Sequence, residues 1–417
     1  MFIEETLKLI GSYIGISESE KKLLGEVFTP FELINEMLDT LPSDVWSNPN
    51  LKWLDPANGI GNFPIIIVKR LMEGLKDFEP DINKRYHHIM NNMIYVCDIN
   101  PKNMFIYNNL FNPENNLKLN TYRGSFLDDE FDNHMKNMWK VDKFNIVVGN
   151  PPYQEKVGPS KTKSLWNFFI KKIDNIINYN GYMIMIHPSG WRSLDGEYKD
   201  IQNILKSNLI YLSMNDDKEG QKVFGATTSF DWYLYSKTKI NKTKIKYQND
   251  KIIDVDLSNL EFIPNGEFEL FDKLIAKNDE EKVNVLHSYS SYETRKDWMS
   301  KERTEEFKYP CIYTITKDNT INLFWSKINT NGHFGIPKII WSNGMASQPT
   351  IDDVGKYGLT QFSYAIVDDL KNLYNIKKCM DSEKFINLMK LCYMSSGNRF
   401  DKKVISIFKK DFWKEFI

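Results

Sequence analysis

The sequence predicts an α/β architecture with a mostly parallel sheet over residues 1–262, and three observations carry that expectation. Apolar and β-branched runs at 51–54, 93–97 and 144–148 each stop abruptly, at an acid or at a glycine followed by two prolines. Buried strands of a doubly wound sheet end in this way. Helix-periodic stretches lie between them, the alternation expected of βαβ units. Past Pro264-Asn265-Gly266 the pattern changes to aromatics scattered among basic residues, which places a second, α+β domain at 263–417.

Composition narrows the class. A chain of 417 residues is long enough for two domains with cores of their own. Its 55 acidic and 54 basic residues nearly cancel, so a nucleic-acid partner would be held by local patches and not by a global field. Cys97, Cys311, Cys379 and Cys392 are widely spaced without a CxxC pair. That usage fits a reducing compartment and argues against structural zinc or another metal. No stretch approaches membrane-spanning length, so the expectation is a soluble, cytoplasmic protein.

Residues 4–14 and 18–24 read as short amphipathic helices. Thr29 is placed to cap a helix whose first residue is Pro30 and whose apolar positions are Phe31, Ile34, Met37, Leu38 and Leu41. Residues 51–63 read as strand, tight loop and helix start. Gly59 and Gly61 allow positive φ and close approach of backbone to a ligand, and Asp55 at the strand end can accept from a cation or an N–H. The strand 93–98 ends in Asp98, placed to accept two ribose hydroxyls, with Ile99 beside it to lie on a base. Gln154–Lys163 reads as a polar, flexible loop with Lys156, Lys161 and Lys163. A helix follows at 165–177 and a strand at 182–187. His187, at that strand end, is taken as structural. Val223 to Lys237 reads as a turn and an aromatic strand, and Lys244–Leu257 as a hairpin turning at Asn249-Asp250.

The chemistry concentrates at Asn150-Pro151-Pro152-Tyr153, directly after the strand Phe144–Val148. Each proline fixes its own φ and pushes the preceding residue towards the extended region, so the turn is stiff. It presents an amide side chain, a backbone carbonyl and an aromatic ring. An exocyclic amino group is a poor nucleophile because its lone pair is delocalised into the ring. The Asn150 side-chain oxygen and the Pro151 carbonyl can accept both of its N–H bonds, which favours a pyramidal nitrogen. Positive charge grows on that nitrogen during attack, so such acceptors act more strongly in the transition state than in the ground state. Tyr153 can stack on the base.

These four residues resemble the catalytic motif of S-adenosylmethionine-dependent amino-methyltransferases. Two companions strengthen the likeness. Gly25-Glu26-Val27-Phe28-Thr29-Pro30 is similar to the motif that contacts the methionine end of the cofactor in one class of DNA amino-methyltransferases. Asp55-Pro56-Ala57-Asn58-Gly59-Ile60-Gly61-Asn62-Phe63 is similar to the cofactor loop of adenine methyltransferases, departing from its commonest form at Asn58 and Ile60. The order of motifs resembles the gamma class of DNA adenine-N6 methyltransferases of restriction-modification systems, over roughly residues 25 to 265.

The resemblance implies a Rossmann-like catalytic domain with a mostly parallel seven-stranded sheet, and a target-recognition domain at 263–417. It implies S-adenosylmethionine as cofactor, held by Thr29, Pro30, Asp55, Ala57, Asn58, Gly59, Gly61, Asp98, Ile99 and Phe126. Asn150, Pro151, Pro152 and Tyr153 would be catalytic, with Tyr153 and Phe224 stacking on a flipped adenine. Where the family has an acid before Phe-Leu, this chain has Ser125, so the contact to the cofactor's adenine amino group falls to Ser125 or Asp128. The implied partners are double-stranded DNA and a cognate restriction endonuclease, with neither membrane nor metal. No nuclease motif stands out, so methylation without cleavage is expected. RNA or protein-glutamine methylation, N4-cytosine methylation and a non-catalytic cofactor-binding role are the competing readings.

Overall fold

The computed structural model describes residues 28–159, 161–194, 196–247, 250–258, 260–344, 347–392 and 400–417. The helices expected at 4–14 and 18–24, Gly25–Val27 of the first motif and Asn249 of the hairpin turn lie outside the described residues. The chain divides into two compact units. One runs to Trp191 and includes the stretch up to residue 259; the other comprises Arg192–Leu194 and Leu260–Ile417. Leu260–Phe262, assigned to the first domain from sequence, therefore group with the second unit. The reason is packing: Phe262 meets Phe271 edge-on at 5.3 Å, and Ile263 N donates to Arg192 O.

In the first unit the strands are β1 (Trp53–Asp55), β2 (Ile94–Asp98), β3 (Asn120–Arg123), β4 (Phe144–Gly149), a small hairpin β5 (Gln154–Lys156) and β6 (Thr162–Ser164), β7 (Ile177–Pro188), β8 (Leu209–Asn215), β9 (Phe230–Ser236), β10 (Thr243–Tyr247) and β11 (Lys251–Val255). The helices are α1 (Phe31–Leu38), α2 (Asn62–Gly74), α3 (Ile82–His88), α4 (Pro101–Phe111), α5 (Asp129–Asn137), α6 (Trp166–Ile176), α7 (Lys199–Lys206) and α8 (Asp217–Phe224). The main sheet has the order β11-β10-β8-β9-β7-β4-β1-β2-β3. Neighbours from β3 through β7 pair in parallel, and β9 lies antiparallel between β7 and β8. Chain order reverses between β1 and β4, the switch point where open α/β sheets bind ligands.

The central strands are covered on both faces, which is why they read as nearly unbroken apolar runs. Trp53, Ile94, Val96, Ile146, Val148, Ile184 and Ile186 form one hydrophobic cluster with residues of α1, α2 and α4. The alternate residues Leu54, Tyr95, Val147, Met183 and Met185 are buried as well.

Three expectations need correction. The sheet has nine described strands and not seven, because the hairpin β10–β11 adds to it: β10 pairs in parallel with β8 and antiparallel with β11. This covers what would otherwise be an open β8 edge. The loop 154–163 is itself a paired hairpin, with Gln154 opposite Ser164 and Lys156 opposite Thr162. Thr29 does not cap α1: Pro30 occupies the cap position, with no side-chain capping bond, and Pro30 O accepts from Ile34 N.

The second unit has two four-stranded sheets. Its elements are α9 (Phe268–Leu274), β12 (Val285–Leu286), β13 (Met299–Ser300), β14 (Tyr309–Ile315), β15 (Ile321–Ser326), β16 (Lys338–Ser342), β17 (Thr350–Asp352), β18 (Gly358–Leu359), β19 (Ser363–Ile366), α10 (Leu370–Asp381), α11 (Glu383–Lys390) and α12 (Lys402–Ile407). The sheet orders are β12-β19-β16-β17 and β13-β15-β14-β18. Trp341, one of the scattered aromatics, is a core residue whose Nε1 donates to Phe400 O. Among the described residues no helix is long and apolar enough to cross a membrane, and no cluster of three potential metal-ligating side chains occurs. All four cysteines are buried and unpaired.

Candidate active site

A cavity of about 560 Å³ opens at the carboxyl ends of β1, β2 and β4. Thr29, Ala57, Asn58, Gly59, Asp98 and Ile99 line it, and so do Phe126, Asn150, Pro151, Pro152 and Tyr153. Five stretches separated by tens of residues thus share one wall: four follow parallel strands, which deliver their loops to the same edge, and Thr29 comes from the turn before α1.

The loop after β1 is tied down from several sides. Asp55 Oδ1 accepts from Ala57 N at 3.1 Å, and Asn58 N donates to Cys97 O at 2.9 Å. Gly59 has φ +56°, and a Cβ built there meets nothing within 4 Å. Glycine at this position therefore keeps backbone exposed to a ligand. Gly61 works differently from the expectation. Its φ is +101°, but a Cβ there would come within 3.1 Å of Tyr107 and 3.2 Å of Phe111. It serves close packing of the loop on α4 and is not part of the cavity wall. Asp98 Oδ2 accepts from Gly59 N at 2.7 Å, and its Oδ1 accepts from Asn100 N at 2.7 Å. The expected ribose ligand is thus also the brace of the glycine loop.

Asp55 is 3% exposed, and burial, with the nearby Asp98 charge adding to it, pushes its carboxyl up to about 8. Its Oδ2 has no hydrogen-bond partner, nor have the buried Asn58 Oδ1, Asn62 Oδ1 and Tyr153 hydroxyl. Burial also raises the Tyr153 phenol. Asn58, Asn62 and Tyr153 line the cavity, and buried polar atoms are normally satisfied, so three such atoms along one cavity are what a ligand site presents.

The stretch Asn150–Tyr153, expected to be catalytic, is held by Thr29 of the first motif. Asn150 Nδ2 donates to Thr29 Oγ1 at 3.2 Å, and Thr29 O accepts from Asn62 Nδ2 at 3.0 Å. Tyr153 O accepts from Leu165 N at 3.0 Å. Ile99 is 59% exposed at the cavity, an apolar side chain without protein cover. Phe126 is buried in the cavity wall and stacks on Phe169 at 5.3 Å.

Some expected residues are placed otherwise. Pro30 caps α1 and Asp55 braces the loop, and neither is among the cavity's lining residues. Phe224 ends α8 and packs edge-on against Phe230 at 4.9 Å, outside the cavity lining. Ser125 and Asp128 both line the cavity; Ser125 Oγ accepts from Leu127 N in a local turn, and Asp128 occupies the cap position of α5 without capping it. Sequence reading missed Asn62, Leu165, Phe168 and Phe169, which also line the cavity. The last three open α6 directly after the hairpin that follows Tyr153. His187 is structural: it stacks on Trp166 at 4.0 Å, pairs with the Tyr233 hydroxyl, and burial lowers it to about 3.

The residues fit a nucleoside-bearing cofactor. An open glycine backbone, a carboxylate at the second strand end and an exposed isoleucine beside it match phosphate-free recognition of a ribose and a base. Fold and site together are similar to those of α/β methyltransferases. Residues 75–224 match the Eco57I restriction-modification methylase family. An uncharacterized adenine-specific methylase of Mycoplasma pneumoniae is 26% identical, over 63% of this chain and 80% of that protein. The fold is similar to that of MmeI, a type IIL restriction-modification enzyme solved with DNA (TM-score 0.54, 10% identity, 94% of this chain and 69% of that one). It is also similar to a nuclease-deletion mutant of the type ISP enzyme LlaGI with a DNA substrate mimic (TM-score 0.54, 10% identity, 86% of this chain). The present chain spans 51% of the length of that LlaGI chain.

Proposed function

We propose that this protein is a site-specific DNA methyltransferase that moves a methyl group from S-adenosylmethionine to N6 of an adenine flipped out of duplex DNA. The observation that carries the reading is the single cavity in which the glycine loop, Asp98 and Asn150-Pro151-Pro152-Tyr153 meet. The family match and the adenine-specific relative support the same reaction.

S-adenosylmethionine, when bound, supplies an electrophilic methyl on a sulfonium. Asp98 and Ile99 would hold its ribose and base, with Phe126 at the base edge, and the glycine loop its amino-acid part. The chain's own residues do the rest. Thr29 holds Asn150 Nδ2, so the amide presents Oδ1 as an acceptor for one adenine N–H. The Pro151 carbonyl accepts the other. Both acceptors favour the pyramidal nitrogen and strengthen as positive charge develops there. The nitrogen loses a proton once the new N–C bond has formed. Tyr153 stacks on the extruded base; Phe224, which packs on the same hydrophobic cluster, is the candidate for its other face. Stacking of about 1–3 kcal/mol per base offsets much of the few kcal/mol that extrusion costs. The second unit would read the target sequence, and a cognate restriction endonuclease is the partner against which such modification protects.

Transfer of labelled methyl to unmethylated duplex DNA, followed by nucleoside analysis, tests this. N6-methyladenine made by the wild type and absent with Asn150→Ala is expected. Label in RNA or protein and not in DNA, or N4-methylcytosine as the product, would overturn the substrate.

A further inference from the structure

The Asn150–Thr29 hydrogen bond joins two motifs 121 residues apart. We propose that Thr29 is the positioning residue for the catalytic amide: its hydroxyl holds Asn150 Nδ2 so that Oδ1 is turned towards the amino group to be methylated. The inference rests on the reaction proposed above and adds a residue that acts through Asn150.

An asparagine amide offers two donors at one end and an acceptor at the other. Facing an amino substrate, the wrong end would set donor against donor. A rotation of the amide by half a turn is therefore enough to abolish the chemistry without moving the backbone. Proline at 151 stiffens the main chain on one side of Asn150 but does not orient the side chain beyond Cβ. A group outside the loop can set the amide, and the Thr29 hydroxyl is in place to do so at 3.2 Å.

Thr29 is suited to this. It is 4% exposed, so water competes little for its hydroxyl. Its carbonyl is held by Asn62 Nδ2 from the first turn of α2, and the next residue, Pro30, has φ −61° at the cap of α1. The hydroxyl therefore sits on a short segment anchored at both ends, the kind of support a reacting group needs. The usual use of a threonine before a helix is to cap it, and α1 has no side-chain cap bond. The hydroxyl is turned to Asn150 instead.

The test pairs Thr29→Val, which keeps the shape and removes the hydroxyl, with Thr29→Ser, which keeps the hydroxyl. Selective ¹⁵N labelling of asparagine identifies the Asn150 side-chain amide as the signal lost in Asn150→Ala. Its protons should exchange slowly with solvent in the wild type and in Thr29→Ser, and fast in Thr29→Val. In steady-state assays Thr29→Val should lose about 10- to 100-fold in kcat with little change in KM, and Thr29→Ser should recover most of it. Binding of S-adenosylhomocysteine should be retained in Thr29→Ser. Adding Thr29→Val to Asn150→Ala should cost nothing further, because both act on one group. Unchanged amide exchange in Thr29→Val, or losses that add in the double variant, would overturn the assignment. A wild type that binds S-adenosylhomocysteine but methylates no DNA would sink the reaction, and the amide exchange would still decide the role of Thr29.

Discussion

The two units use buried polar groups in opposite ways. In the first, Asn58 Oδ1, Asn62 Oδ1 and the Tyr153 hydroxyl are buried without partners along one cavity. In the second, the buried polar side chains satisfy one another. Lys338, fully buried, donates to Asp352 Oδ2 at 2.8 Å and to the carbonyls of His333 and Ile336, and Asp352 also accepts from Lys356 N and Tyr357 N. Ser342 N donates to Ser347 Oγ, and Thr360 and Ser363 hydroxyls both donate to Ile312 O. Among the described residues of this unit, His287 Nε2 is the one buried side-chain atom left over. Along the cavity, unsatisfied atoms are open to a ligand; in the second unit the chain satisfies its own.

The largest expected effect breaks the self-satisfied side. Asp352→Ala leaves the Lys338 ammonium buried without its counter-charge and should cost about 3–5 kcal/mol in the unfolding of the second unit, read by denaturant titration. Cofactor affinity of the first unit should be unaffected. A loss below about 1 kcal/mol would mean the pair is solvated in solution.

On the ligand-ready side, removing a polar group should harm function and spare the fold. Asn150→Ala should lower kcat by about 10²- to 10³-fold while melting temperature and S-adenosylhomocysteine binding stay near wild type. Gly59→Ala meets no atom, so its cost is the left-handed backbone alone, about 1–2 kcal/mol of stability. Its methyl group faces the cavity, and calorimetry should show a drop in cofactor affinity of about tenfold or more.

The smallest effect sharpens the comparison most. Asp55 holds its proton up to about pH 8 in the folded chain, against an ordinary value of 3.8. Between those values the folded state binds the extra proton, so stability from this group is complete below about pH 4 and falls as pH rises to about 8. Asp55→Asn cannot ionise and should melt a few degrees higher than the wild type at pH 8, the gap closing towards pH 4, while binding cofactor more weakly. A variant that melts lower across the whole range would show that the carboxyl's bond from Ala57 N outweighs the cost of its burial.

Legibility followed the same division. Asp98, Gly59 and Asn150-Pro151-Pro152-Tyr153 could be read because each sits where a parallel strand stops, and the stop is written locally in acids, glycines and prolines. The hairpin at 244–257 was legible as a hairpin, but not its addition to the β8 edge, since pairing partners are chosen in space. Gly61 reads like Gly59 in sequence; only the rings of Tyr107 and Phe111 behind it separate packing from binding. The second unit gave few local signals because its short strands, such as β12 and β18, owe their existence to neighbours and not to their own pattern.

Residue order by itself determined the α/β class, the strand-end motifs and the chemistry of an amide and an aromatic ring behind two prolines. These follow from backbone restriction and hydrophobic periodicity, which act over a few residues. Tertiary structure decided that Thr29 turns from its helix to Asn150, that Asp98 braces the glycine loop, and that Asp55 is buried deeply enough to keep its proton. Hydrogen bonds and desolvation depend on which distant groups arrive at the same place, and only the folded sheet brings them there.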